Sequence, residues 1–249
     1  MDSPTPQALQ QAASTAGDQA GYFLKFLGKH GWRLALWFFC LLLPLWGFAS
    51  LVGELHEKEV FPFDAPLLNF LHARASPAWD WFFVWISRLG FAWGVLPADI
   101  VVLLWLAISR RFRDSLFFFL AVAGSEILNV AAKNYFTRDR PSLWLSITPE
   151  TTYSFPSGHA MASATLGMAL IMLFWPSRGR WPVLLGAACF VFLVGVSRIY
   201  LGVHYPSDIL TGWAAAIAWV VGLHELVARK APLPPPSAAR TEDVVTPAR

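Results

Sequence analysis

Residues 153–175 read YSFPSGHAMASATLGMALIMLFW, where a polar loop ends at a proline, serine, glycine and histidine and a chargeless run begins. A serine at that boundary suits an N-cap, because its hydroxyl accepts one of the backbone amide protons that a first helical turn leaves unpaired. The run from Ala160 to Ser177 is then a helix of nearly the ~20 apolar residues that a bilayer's hydrocarbon core demands. Five more stretches of this kind flank it: Leu34–Gly53, Leu89–Ser109, Ser115–Ala132, Trp181–Ser197 and Ile209–Ala228. The expected fold is therefore all-α, a polytopic membrane protein built as a six-transmembrane-helix bundle. A seventh apolar piece, SPAWDWFFVWIS at 76–87, is too short to span, and its tryptophans mark it as interfacial or as an outer extension of the second helix. If it crossed, every later segment would exchange sides.

Composition agrees with a membrane protein and excludes an ordinary soluble domain: 56% of the 249 residues are hydrophobic and only 14% charged, with a mean hydropathy of +0.48. The net charge of +3 does not indicate a nucleic-acid partner, because the basic residues fall at helix ends rather than in one patch. Cys40 and Cys189 lie inside apolar runs and imply neither a disulfide nor a metal. The first run is followed by Glu54 rather than a small-residue cleavage site, which favours a retained helix over a cleaved signal peptide. Residues 1–30 and the proline-rich 230–249 read as flexible cytoplasmic tails around one membrane domain over 31–229.

Cytoplasmic loops carry the excess of lysine and arginine. One set of helix ends holds Lys25, Lys29 and Arg33, then Arg110, Arg111 and Arg113, then Arg178 and Arg180, then Arg229 and Lys230. That face is cytoplasmic. Alternation then brings Lys133, Arg138, Arg140, Ser157, His159, Arg198, His204 and Asp208 to the outer surface. Cations kept outside, against the orientation rule, call for a functional reason. Arginines bind phosphate oxygens through a planar fork, lysine adds a point charge, and the amides of Gly158 and His159 at a helix N-terminus favour the same anion.

The spacing is specific. Lys133 is followed after six residues by Arg140–Pro141; then comes PSGH at 156–159; then Ser197–Arg198, five residues, His204, three residues and Asp208. This three-part pattern resembles the signature of the type 2 phosphatidic acid phosphatase (PAP2) superfamily, over roughly residues 30–228. The resemblance implies a bacterial inner-membrane lipid phosphatase whose His204 attacks phosphorus, whose Asp208 orients His204, and whose His159 protonates the leaving oxygen and later activates water. It implies that Lys133, Arg140, Ser157, Gly158 and Arg198 bind the phosphoryl oxygens, with no metal and no cofactor. Its substrate would be a membrane lipid phosphate: undecaprenyl pyrophosphate is favoured by an active site facing the periplasm, with phosphatidylglycerol phosphate or phosphatidate as alternatives.

Each residue also has a simpler reading. Asp208 is equally a helix cap, Ser157 an N-cap, His159 an interfacial histidine, and Lys133 and Arg140 lipid-headgroup anchors. Arg138 and Asp139 fall between matched positions and read as loop charges. Glu126, Asn129 and Lys133 share one helix face and predict a polar spine beneath Lys133. A non-catalytic lipid-binding or transport protein would keep the helices, and a vanadate haloperoxidase would keep the pocket, though as a soluble protein.

Overall fold

The structure is a computed structural model that describes residues 31, 38–56 and 61–228; both expected tails lie outside the described residues. A short π-helical turn at Phe38–Leu42 leads into α1 (Leu43–His56). There follow α2 (Asp64–His72), α3 (Pro77–Leu89), α4 (Val95–Ile108), α5 (Phe112–Phe136), α6 (Gly158–Phe174), α7 (Arg180–Tyr200) and α8 (Pro206–Leu223), the last continued by a π-helical turn at His224–Ala228. Every regular element among the described residues is a helix, and there is no strand among them. Three helical segments, Phe112–Phe136, Arg180–Tyr200 and Pro206–Val227, are long and apolar enough to cross a membrane, while α4 and α6 are apolar but shorter.

The expectation for the second span needs correcting. Leu89–Ser109 is not one helix, because the chain turns at residues 90–94 before α4 begins at Val95. Gly90 and Gly94 both lie in this turn, and a Cβ at Gly94 would stand 2.2 Å from the Leu89 carbonyl oxygen. The tryptophan-rich piece is therefore not an extension of α4. It is α3, started by Ser76, whose hydroxyl accepts from Trp79 N–H, and it packs on α7. Fourteen residues at 1.5 Å each make α4 about 21 Å long, shorter than the hydrocarbon core.

Helix α6 is the centre of the bundle, packed on α5, α7 and α8. Its buried residues include Ala160, Ser163, Ala164, Thr165, Gly167 and Ala169. Where neighbouring surfaces are as apolar as lipid, close approach of small residues supplies the packing that hydrophobicity cannot. Ser125 and Thr165 add a buried hydroxyl–hydroxyl bond of 2.7 Å between α5 and α6. Val95, Leu106, Phe117, Phe118, Leu173 and Val220 gather α4, α5, α6 and α8 into one core. Cys189 is free and exposed on α7.

Helices α7 and α8 cross closely, and a Cβ on Gly195 would lie 2.4 Å from Trp213 Cζ2 and 2.8 Å from Ile209 Cγ2. Gly195→Val is expected to destabilise the chain by about 1–3 kcal/mol through overpacking, read as a lower Tm in detergent. An unchanged Tm would mean that α7 and α8 do not approach this closely.

Candidate active site

The site is assembled by the long connection between α5 and α6 and by the turn between α7 and α8. Helix α5 stops at Thr137, whose backbone is left-handed (φ 46°) and whose N–H bonds the Lys133 carbonyl at 3.0 Å. The connection runs across the ends of α7 and α8 and returns so that Ser154 N–H bonds the Arg138 carbonyl at 2.9 Å. Between α7 and α8, Val203 N–H returns to the Arg198 carbonyl at 3.2 Å. That reversal needs Gly202: its φ is +70°, and a Cβ there would meet the Trp144 ring at 2.6 Å. Arg198 and His204 thereby come within reach of one pocket.

Asp208 has no exposed surface, so its carboxylate must be satisfied internally. Oδ2 accepts from Ser154 Oγ at 2.5 Å and Tyr205 N–H at 2.9 Å, and lies 3.4 Å from His204 Nδ1. Oδ1 accepts from Arg138 Nη1 at 2.5 Å. The cap and the histidine partner are thus the same residue, because Oδ2 serves both while Oδ1 takes Arg138. Ser154 Oγ also lies 3.3 Å from His204 Nδ1. Since Ser154 donates to Asp208, its oxygen is free to accept, and an Nδ1–H on His204 is shared between hydroxyl and carboxylate. This arrangement leaves the Nε2 lone pair of His204 facing Arg140, whose Nη1 is 3.2 Å away. Burial, followed by the charges of Arg198 and Arg140, holds the His204 imidazole well below its ordinary pKa. Its uncharged form is thereby favoured, which keeps the Nε2 lone pair available.

The cations converge on the same place. Arg140 donates to the Thr152 carbonyl (2.6 Å) and the Val203 carbonyl (2.7 Å), and its Nη2 reaches Glu150 Oε2 at 2.9 Å. Lys133 donates to Thr152 Oγ1 at 3.4 Å and to the Tyr153 carbonyl. Arg198, 2% exposed, donates through Nη1 to Ser87 Oγ on α3 at 2.5 Å and through Nη2 to Glu150 Oε1. Its Nε is buried and has no partner among the described residues. A guanidinium donor left unpaired beside a carboxylate-filled arginine pair is a place for one more anionic oxygen. A cavity of about 220 Å³ is lined by Lys133, Glu150, Thr152, Gly158, His159 and His204, with Phe91 and Glu126 on its membrane side. An adjoining cavity of about 170 Å³ shares Phe91 and Glu126 and continues between α4, α5 and α6 past Val95, Leu96, Val122 and Ala162.

Ser157 is fully buried, and its hydroxyl accepts from Ala160 N–H at 3.5 Å. The side chain is thus the N-cap, while its neighbours Gly158 and His159 line the cavity. The polar spine is not found: Asn129 turns to the Pro156 carbonyl at 3.2 Å and the Met161 sulfur, Glu126 is exposed, and Lys133 bonds the α5–α6 connection instead. Five residues bear on the site without having been singled out for it: Asp64, Ser87, Arg138, Glu150 and Ser154. Arg138 is no loop charge. It joins Asp208 to Asp64 (3.0 Å) and Ser207 (2.8 Å), its guanidinium stacks 4.1 Å from the Tyr205 ring centroid, and Asp64 in turn accepts from Ser207 N–H and Oγ.

Residues 114–232 match the family model of the PAP2 superfamily. The chain is similar to phosphatidylglycerophosphatase B of Bacillus subtilis, 26% identical over 68% of this chain and 86% of that protein. It is also similar to the undecaprenyl-diphosphatase of Sulfolobus acidocaldarius, 28% identical over 76% of this chain and 86% of that one. Among solved structures it shares its fold with the transmembrane PAP2-type phosphatidylglycerolphosphate phosphatase of Bacillus subtilis, at a TM-score of 0.66 and 24% identity, over 74% of this chain and 94% of that chain. Aquifex aeolicus LpxE superposes at a TM-score of 0.56 with 26% identity, over 66% and 96% of the two chains.

Removing the cation from this carboxylate network tests the geometry. Arg138→Gln strands Asp208 and Asp64 as buried charges, and losing one partner of a buried pair costs about 3–5 kcal/mol. Tm in detergent should fall accordingly, and Asp64→Asn combined with Arg138→Gln should recover part of the loss. A wild-type Tm for Arg138→Gln would contradict the network.

Proposed function

We propose, from the match of residues 114–232 to the PAP2 superfamily model and from the geometry of the site, that the chain is a PAP2-type enzyme that hydrolyses a lipid phosphate or pyrophosphate at the outer face of the membrane by way of a phosphohistidine at His204. The observation that carries this reading is the placement of His204. Its Nδ1 faces Ser154 and Asp208, and it borders a cavity lined by Lys133, by Glu150, the carboxylate that pairs with Arg140 and Arg198, and by Gly158 and His159 at the N-terminus of α6.

In this scheme a phosphoryl group enters with its oxygens toward Lys133, Arg140, the free Nε of Arg198 and the amides of Gly158 and His159. The Nε2 lone pair of His204 attacks phosphorus while the bond to the lipid oxygen breaks, and His159 gives that oxygen its proton. Asp208, paired with Arg138 at 2.5 Å, faces the ring and stabilises its positive charge once it is phosphorylated. Water then attacks phosphorus, His159 takes its proton, and inorganic phosphate leaves with His204 restored. Charge on the transferring oxygens is met by fixed cations in a partly dry pocket, where they act strongly without having to reorganise. Asp64, Asp208 and Glu150 are each engaged by a guanidinium, and the scheme uses no metal.

Phosphatidylglycerol phosphate and undecaprenyl pyrophosphate stand level as substrates, since relatives of comparable similarity bear both names and both lipids offer a terminal phosphoryl group on a membrane anchor. We read α1, α4, α5, α6, α7 and α8 as six crossings of the inner membrane, with α2 and α3 lying at the outer surface.

Two outcomes test this reading. With lipid monophosphates and pyrophosphates presented as a panel to the purified chain, phosphate release should be unaffected by EDTA. His159→Ala should slow the release of a lipid alkoxide far more than that of p-nitrophenolate, which departs with little protonation; equal losses would make His159 a phosphate ligand rather than an acid. For sidedness, cysteines placed at Phe112 and at Leu145, in a chain with Cys40 and Cys189 replaced by alanine, should label from opposite faces of sealed vesicles. Labelling of both from one face contradicts the six-crossing reading.

A further inference from the structure

The anion pocket already holds an anion. Glu150, carried on the α5–α6 connection, spans the two arginines through its two carboxylate oxygens, Oε2 to Arg140 at 2.9 Å and Oε1 to Arg198. It lines both the cavity that contains His159 and His204 and the adjoining surface cavity of about 390 Å³ beside Arg140 and Trp144. Its side chain is 27% exposed, whereas those of Arg140 and Arg198 are 13% and 2% exposed. The carboxylate is thus the part of the cluster nearest to solvent, on a loop rather than a helix. Burial favours its neutral form, but the surrounding positive charge, Arg198 foremost, overrides this and brings its pKa down to about 2. It is charged under any assay condition.

We propose that Glu150 is a specificity-determining residue that sets a charge threshold at the site, excluding the singly charged phosphodiester headgroups of the surrounding bilayer. The inference rests on the phosphatase reading above. An incoming headgroup must take the guanidinium donors that Glu150 occupies. A phosphodiester brings one negative charge to replace one, so the exchange gains nothing electrostatically and surrenders an intramolecular pair that needs no association entropy to form. A terminal phosphomonoester carries about −1.5 to −2 near neutral pH, and a pyrophosphate ester carries more, so either wins the arginines. Bulk phospholipids present the same phosphate oxygens at far higher concentration. A site of bare arginines facing the membrane would be filled by them, and a built-in competitor acts against the wrong ligand while the right one still binds.

The test measures inhibition by a phosphodiester lipid. The purified full-length chain, in mixed micelles, hydrolyses phosphatidate at fixed surface fraction while phosphatidylglycerol replaces an uncharged diacylglycerol diluent. Wild type should show no inhibition beyond dilution. Glu150→Gln, nearly isosteric but uncharged, should be inhibited competitively, with a Ki for phosphatidylglycerol lower by about tenfold or more, and Glu150→Asp, which keeps the charge, should remain resistant. Native mass spectrometry of phosphatidylglycerol bound to the same three proteins gives the comparison without turnover. Failure of wild type to release phosphate from any lipid phosphate would overturn the phosphatase reading, while the binding comparison still decides the role of Glu150. If Glu150→Gln binds and is inhibited by phosphatidylglycerol no more than wild type, or if it only loses kcat, the carboxylate merely holds the arginines in place and the threshold is refuted.

Discussion

The Asp208 carboxylate is the constraint on which the rest of the site depends. A charge with no exposed surface persists only where its hydrogen-bonding capacity is filled and its sign is matched. Filling it requires Ser154 from the α5–α6 connection, the backbone of Tyr205 at the start of α8, and the guanidinium of Arg138 just past the end of α5. Arg138 in turn draws in Asp64 at the start of α2, which receives both the amide and the hydroxyl of Ser207. One carboxylate thus ties together the ends of three helices and the connection crossing them. The Ser157 amide bonds the Asp208 carbonyl at 3.2 Å, and a Cβ at Gly212 would stand 3.1 Å from the Ser157 carbonyl oxygen. The α6 start and its histidine are therefore placed relative to the same residue.

From that anchor the chemistry is a matter of placement. Asp208 and Ser154 engage one nitrogen of His204, which leaves the other turned toward Arg140, where the proposed mechanism needs its lone pair. The second carboxylate-based unit, Arg140–Glu150–Arg198, gathers positive charge in front of that nitrogen and reaches through Ser87 to α3. The two units differ in kind. Arg138–Asp208–Asp64 is buried and structural, whereas the Glu150 side is partly exposed and lies on a loop, so its carboxylate is placed to yield to a stronger anion.

Residues within one helical turn or one short motif were legible in the sequence, and their long-range partners were not. The spacing of His204 and Asp208 puts them on one turn, and PSGH marks the α6 start through the known requirements of a helix N-terminus. Lys133, Gly158, His159 and His204 accordingly meet at one cavity. Ser87, Asp64 and Ser154 lie 111, 143 and 50 residues from their partners Arg198, Ser207 and His204, and serine and aspartate are common at helix starts for unrelated reasons. Arg138 was open to inference: a cation two residues from Arg140 on the outer side needs an acid, and Asp64 and Asp208 were both on that side. Hydropathy misread residues 89–94, because an apolar turn and an apolar helix have the same composition; only Gly90 and Gly94 signalled the break. It misread Glu126 for a related reason, since helical periodicity places side chains on a face without saying what else competes for them, and Asn129 found the Pro156 carbonyl first.

The central claim is covalent: phosphorus passes through His204. Rapid quench of the purified chain with a lipid monophosphate labelled in its phosphoryl group, followed by alkaline digestion and peptide mapping, measures this directly. The account predicts an acid-labile, base-stable phosphate on the peptide containing His204, formed and lost at rates compatible with turnover and absent from His204→Ala. Turnover of labelled substrate without a phosphohistidine, or an undiminished phosphoenzyme in His204→Ala, would contradict it.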